Sequence, residues 1–556
     1  MSITSLPPEL LTHICQNLEP QEWGALRITC HGIHRDTLEA YATRYFRTFS
    51  VLLTREGLDR LEEIAASETL RCWVQEIWII PNLFEGWPER DKEMFKSPAL
   101  ANQKQRRLRR LMHGQLEEAM EPEAELDAQL DALFAVYEAT SAEHRAILNS
   151  GLFATLEKCL PRLKNATTVG LRSYPIHLLL SQADYRFFHC LGLRELKSQL
   201  NTPVMDINLA MSSFQQKMLA MPLGLAFSQL LNAIIKSSCH VQSLHTCGGD
   251  GYEGFRPNYA CGMSLGSLQL LESSYQSLLP LLSDLTTLHM CIRIKDHEQD
   301  PFDEDTFQRL HNILVAVAPR LKILTFAQWS PFDELSPLYF EDLSQKIQFS
   351  QLEELHLQST EVTVDTFKCF LQTAAPSLKR LSMRRVSLVD TMTAVPDLGP
   401  LTEESGSWGP SLSSEVTNEI QELWYRIFEY LTNHLKLQFL QLSDLGYRGR
   451  YIALEDDLYA ERGQPDAHPS SDPKDVFFGA ERGRQPMKSS SSKDYYFDAK
   501  KASISFKDWV TQLRIKMLIP ESGFVQLPGT SNMSFHQPGM RPAQPGNGRT
   551  IYRPLV

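Results

Sequence analysis

The residues of this chain best suited to chemistry crowd into one stretch: Cys239, His240, His245 and Cys247. Thiolate and imidazole are zinc ligands, so the group invites comparison with a tetrahedral metal site. The order CH-x4-H-x-C is not a standard zinc spacing, and a strand through it would send alternate side chains to opposite faces. Buried or rim side chains are the plainer reading. The glycines of CGGDGYEGF (247–255) could offer turn amides to an anion. They lack the lysine–serine ending of a nucleotide loop and read as a long rim loop instead. CGMSLGSLQ (261–269) lacks the GxSxG order of a nucleophile elbow. The expectation is therefore no metal site, no cofactor and no catalysis by this chain. The basic run Lys104-Gln105-Arg106-Arg107-Leu108-Arg109-Arg110 reads as a solvated helix face, with a nuclear import signal as the alternative.

Composition sets the frame for these residues. The chain has 556 residues, 42% hydrophobic and 22% charged, which is globular composition and enough for two or three domains. No apolar run is long enough to span a bilayer, and MSITSLPPELLTHI does not read as a secretory signal. A net charge of -12 argues against a general nucleic-acid surface, which needs clustered positive charge. Ten cysteines scattered from Cys15 to Cys369, without a tight CxxC pair, fit a reducing compartment better than a disulfide framework. Cytoplasm, nucleus or both follow as the expected location.

Three short helices are expected in residues 1–46. Leu10, Ile14 and Leu18 fall four apart on one helical stripe. Pro7 and Pro8 suit a helix start, and Glu9 adds negative charge at its positive end. Trp23, Leu26 and Arg27 fit a second helix, with Cys30 just beyond; Ile33, Leu38, Tyr41 and Tyr45 suggest a third. Such a module buries little area and needs the following domain or a partner for part of its stability.

Residues 47–240 read as a helical or mixed linker region with the first, degenerate repeats. REGLDRLEEIAAS (55–67) predicts a helix, VQEIWI (74–79) a strand, and 100–145 a helical stretch with a basic start and an acidic middle. From 241 to 460 a hexapeptide recurs: an apolar residue, two others, leucine, one other, then usually an apolar residue. The copies are VQSLHT (241–246), LTTLHM (285–290), LKILTF (321–326), LEELHL (352–357), LKRLSM (378–383) and LQFLQL (437–442). Helical stretches precede several of them, among them FQRLHNILVAVAPR, VDTFKCFLQTAAPS and NEIQELWYRIFEYLTNH. The pattern predicts an α/β strand-plus-helix solenoid, in which no unit buries its apolar face alone. Residues 396–414 read as a Pro/Gly/Ser-rich loop. Residues 461–556 read as a low-complexity, partly disordered tail with one packed element at 504–519.

The N-terminal module resembles the F-box. Leu6-Pro7-Pro8-Glu9-Leu10-Leu11, Ile14, Leu18, Trp23, Leu26, Arg27, Cys30 and Ile33 carry that resemblance, which covers less than a tenth of the chain. The strands and helices behind it look like the irregular leucine-rich-repeat regions that follow F-boxes, and the whole layout is similar to large fungal F-box proteins. The resemblance implies that the module binds the Skp-type adaptor of a cullin–RING (SCF) ubiquitin ligase while the repeats hold a substrate protein. It assigns adaptor contact to Leu6, Pro7, Pro8, Leu10, Leu11, Ile14 and Leu18. Trp23, Leu26 and Ile33 would divide between contact and the module's own core. Aromatic residues are favoured interface anchors, so Trp329 with Phe332, and Tyr447 with Tyr451, are candidates for substrate contact. A scaffold outside ubiquitination and an enzyme with an appended F-box are the other two readings.

Overall fold

The computed structural model describes residues 3, 6–18, 20–81, 123–172, 190–200, 220–248, 263–264, 268, 272–293, 304–329, 345–389, 414–443, 445–447, 450–456, 495–500 and 505–520. The first 46 residues form four helices rather than three: α1 (Pro8–Gln16), α2 (Pro20–Arg27), α3 (His31–Asp36) and α4 (Leu38–Tyr45). Thr37 is the cause. Its hydroxyl donates to the Ile33 carbonyl at 2.7 Å, and its backbone leaves the helical region at φ -106°, ψ 2°. That break lets Ile33 before it and Tyr45 after it both turn inward.

Nine strands follow in one parallel sheet, in strict chain order: β1 (Thr48–Leu52), β2 (Glu76–Ile80), β3 (Thr168–Arg172), β5 (Ser243–Gly248), β7 (Thr287–Arg293), β8 (Ile323–Trp329), β9 (Glu354–Gln358), β11 (Arg380–Arg384) and β13 (Phe439–Ser443). The short β4 (Cys190–Leu191) pairs with β1 at one edge, and antiparallel β16 (Tyr495–Asp498) pairs with β13 at the other. These eleven strands form the path of the sheet; β6 (Met263–Ser264) pairs with β7 beside it.

The register explains the hexapeptide. Its fourth residue forms one continuous row across the sheet, Phe49, Ile77, Val169, Leu244, Leu288, Leu324, Leu355, Leu381 and Leu440, ending on Phe497. All ten are buried in a single core with the helices that cover that face, among them Leu314, Phe367 and Phe428. Burying each such side chain contributes roughly 1.5–3 kcal/mol. The hexapeptide's first residue, two positions before each strand, is buried as well: Val241, Leu285, Leu321, Leu352, Leu378 and Leu437.

The second residue of each unit links it to the unit before. Gln75 donates its amide hydrogen to the Arg47 carbonyl, Thr167 to Gln75, Gln242 to Thr167, and so on through Thr286, Lys322, Glu353, Lys379 and Gln438, all at 2.7–3.0 Å. The chain of bonds crosses position 241 without a break. Residues 47–240 therefore supply strands of the same sheet rather than a linker. FRTFSV (46–51) and ATTVGL (166–171) are hexapeptides that the leucine pattern hides, because Phe, Val and Ala stand at the apolar positions.

A second sheet of five strands lies beyond the ends of the late units: β10 (Glu361–Val362), β12 (Ser387–Leu388), β14 (Gly446–Tyr447), β15 (Arg450–Asp456) and β17 (Leu513–Pro520). Ser359 and Arg385 make the same turn into it, with φ of 50° and 52°. The expected single packed element at 504–519 is a helix, Phe506–Gln512, running straight into β17. Its Trp509 and Val510 join the main core, and β16 adds a strand, so this part of the expected tail is integral to the fold. Residues 461–494, 521–556, 396–413 and 104–110 lie outside the described residues. Of the expected helix over 100–145, the described part is Glu123–Ala146. Among the described residues, no helix is long and apolar enough to cross a membrane.

Candidate functional site

Helix α1 carries two apolar stripes, each with four-residue spacing. Leu11 and Cys15 turn inward, at 1% and 0% exposure. Leu10 and Ile14 turn outward, at 52% and 40%. The inward stripe helps close a core of Cys15, Trp23 and Tyr45, flanked by Leu18, Leu26, Tyr41 and Phe46. The Trp23 indole meets Tyr41 and Tyr45 edge-on at 5.5 and 5.7 Å, a favoured geometry for aromatic rings. The Arg27 guanidinium lies 4.0 Å over the Tyr41 ring. Burial pushes its pKa down, while Tyr41 and Cys15 pull it back up. Arg44 donates to the Gln16 carbonyl at 2.7 Å, fastening α4 to the end of α1. Cys30 caps α3 by accepting the Ile33 amide.

The ten predicted adaptor positions therefore separate. Leu11, Trp23 and Ile33 are buried in the module and have no surface to offer a partner. Leu6, Leu18 and Leu26 are half-buried, and Pro7, Pro8, Leu10 and Ile14 are exposed. Ile28, just past α2, is 85% exposed and was not singled out from sequence; it stands one residue past Arg27, outside any apolar period. Phe46 packs against both the module's core and the main core, so module and sheet share a wall.

The sheet's other face holds the fifth residue of every hexapeptide. That row reads Ser50, Trp78, Gly170, His245, His289, Thr325, His356, Ser382 and Gln441. Its early end is closed. The Arg172 guanidinium lies 4.4 Å over the Trp78 ring and donates to Ser50 Oγ at 3.3 Å. Trp78 Nε1 donates to Glu76 at 3.1 Å. His245 meets Trp78 at 4.9 Å and stacks with His289 at 5.8 Å. Burial, then the charge of Arg172, lowers the His245 pKa to about 4, so the ring is neutral near pH 7.

The later end of this face is half-exposed. Glu354 contacts His356 and Arg380, both at 3.5 Å. The His356 hydrogen bond is the main influence holding its carboxyl below the usual range. Arg380 also covers the Phe439 ring at 4.4 Å. Ser382, beside His356 in register, donates to Gln441 at 3.1 Å. The Ser382, His356 and Glu354 grouping thus has a His–Glu contact, while its hydroxyl is directed away from the imidazole. A nucleophile–base pair needs the opposite arrangement.

The two histidines of the cysteine–histidine stretch lie in different surroundings. His240 is exposed and faces Asp284 at 3.5 Å, whereas His245 is enclosed with Trp78. No group of three or more His, Cys, Asp or Glu side chains that could hold a metal ion occurs among the described residues. Trp329 ends β8, and Phe332 lies outside the described residues. Tyr447 pairs with Arg450 and Tyr451 with Gly446, so the two tyrosines occupy successive pairs rather than facing each other. What sequence reasoning missed on this face is Trp78, Arg172, His289 and His356. The fifth hexapeptide position marks all but Arg172.

No family model matches the chain, and no curated protein matches it either.

Proposed function

We propose that this chain is the substrate-recognition subunit of an SCF-type cullin–RING ubiquitin ligase. Its N-terminal module acts as an F-box that docks on a Skp-type adaptor. The strand–helix array acts as an irregular leucine-rich-repeat-like solenoid whose open face holds a substrate protein. The observation that carries this reading is the outward apolar stripe of Leu10 and Ile14 on a helix whose inward stripe already closes the module's core. Exposed apolar side chains on a small, closed module suit an interface built by desolvation.

The mechanism is proximity. Holding a substrate at a set position beside the ligase machinery raises the effective concentration of acceptor lysines. Sharing Phe46 between the two cores stiffens the joint, so the open face keeps its orientation relative to the adaptor. The chain itself supplies no chemistry in this scheme, and a net charge of -12 does not favour nucleic acid as cargo. It operates in the cytoplasm or nucleus.

Pull-down of purified Skp-type adaptor by the full chain tests the reading. The wild type retains the adaptor and the double variant Leu10→Asp/Ile14→Asp loses it. Equal retention by both, or by neither, overturns the assignment. Adaptor retention without cullin in a native purification turns the reading to a scaffold.

A further inference from the structure

We draw no further inference here: the strongest candidate, the groove between α1 and α4 lined by Glu9, Thr12, His13, Glu39 and Arg44, lies on the docking module already described, and nothing in the structure shows what covers it.

Discussion

The rings of Trp78 and His245 stand 4.9 Å apart, although their strands are separated by β3. Gly170 lies in register between them. A Cβ placed there would stand 2.7 Å from His245 Cβ and 2.8 Å from the His245 carbonyl oxygen. The two rings close over the sheet because the intervening residue has no side chain.

Gly170→Ala should therefore destabilise the chain by about 1–3 kcal/mol, the usual range for overpacking a well-filled site. Chemical denaturation measures the loss, and near-ultraviolet circular dichroism should change as Trp78 is displaced. A variant of wild-type stability would mean that the rings part without cost.

His144 and His245 should together make stability fall with acid. His144 is buried with its Nε2 2.8 Å from the Pro81 carbonyl. Burial is the main cause that lowers both rings from 6.5 to about 4. Between pH 6.5 and 4 the unfolded chain takes up protons that the folded chain refuses, so stability is full above 6.5 and declines as pH drops towards 4. Each ring contributes a slope of about 1.4 kcal/mol per pH unit across that window. Urea titrations from pH 7 to 4 should show the decline, and His144→Gln/His245→Gln should flatten it.

The two stripes of α1 should respond oppositely to substitution. Leu10→Asp/Ile14→Asp lies on the surface and should change stability by less than about 1 kcal/mol. Trp23→Ala empties the centre of the module and should cost about 3–5 kcal/mol locally. Hydrogen exchange of the α1–α4 amides reads both, and comparable loss of protection in the two variants would contradict the division into contact and core.

Ser359 occupies the left-handed region at φ 50°, a conformation that costs a side-chain-bearing residue roughly 1–2 kcal/mol. Ser359→Gly removes that strain and adds back some unfolded-state freedom. The net expectation is a gain of about 0.5–1 kcal/mol by thermal unfolding. A loss would show that the serine side chain outweighs the turn geometry.

The leucine hexapeptides were legible because periodic apolar residues reveal a strand buried on one face. They located six of the nine parallel strands, and VQEIWI added a seventh. FRTFSV and ATTVGL escaped because the buried row accepts Phe, Val and Ala where leucine was sought. Only register with a neighbour shows that they occupy the same positions. The single expected helix from Ile33 to Tyr45 split at Thr37, where the backbone leaves the helical region.

What the residue string alone determined, then, is the repeat, its alternation of apolar and polar positions, and the apolar spacing of the first helix. Tertiary structure decided which apolar residues are spent on the core. Leu10–Ile14 and Leu11–Cys15 share the same spacing, and only the placement of Trp23 and Tyr45 selects the inner pair. It also decided that Trp78 reaches His245 across Gly170. Those meetings join residues tens to hundreds of positions apart. Local propensity carries no information about such contacts, which arise only when the sheet brings the strands into register.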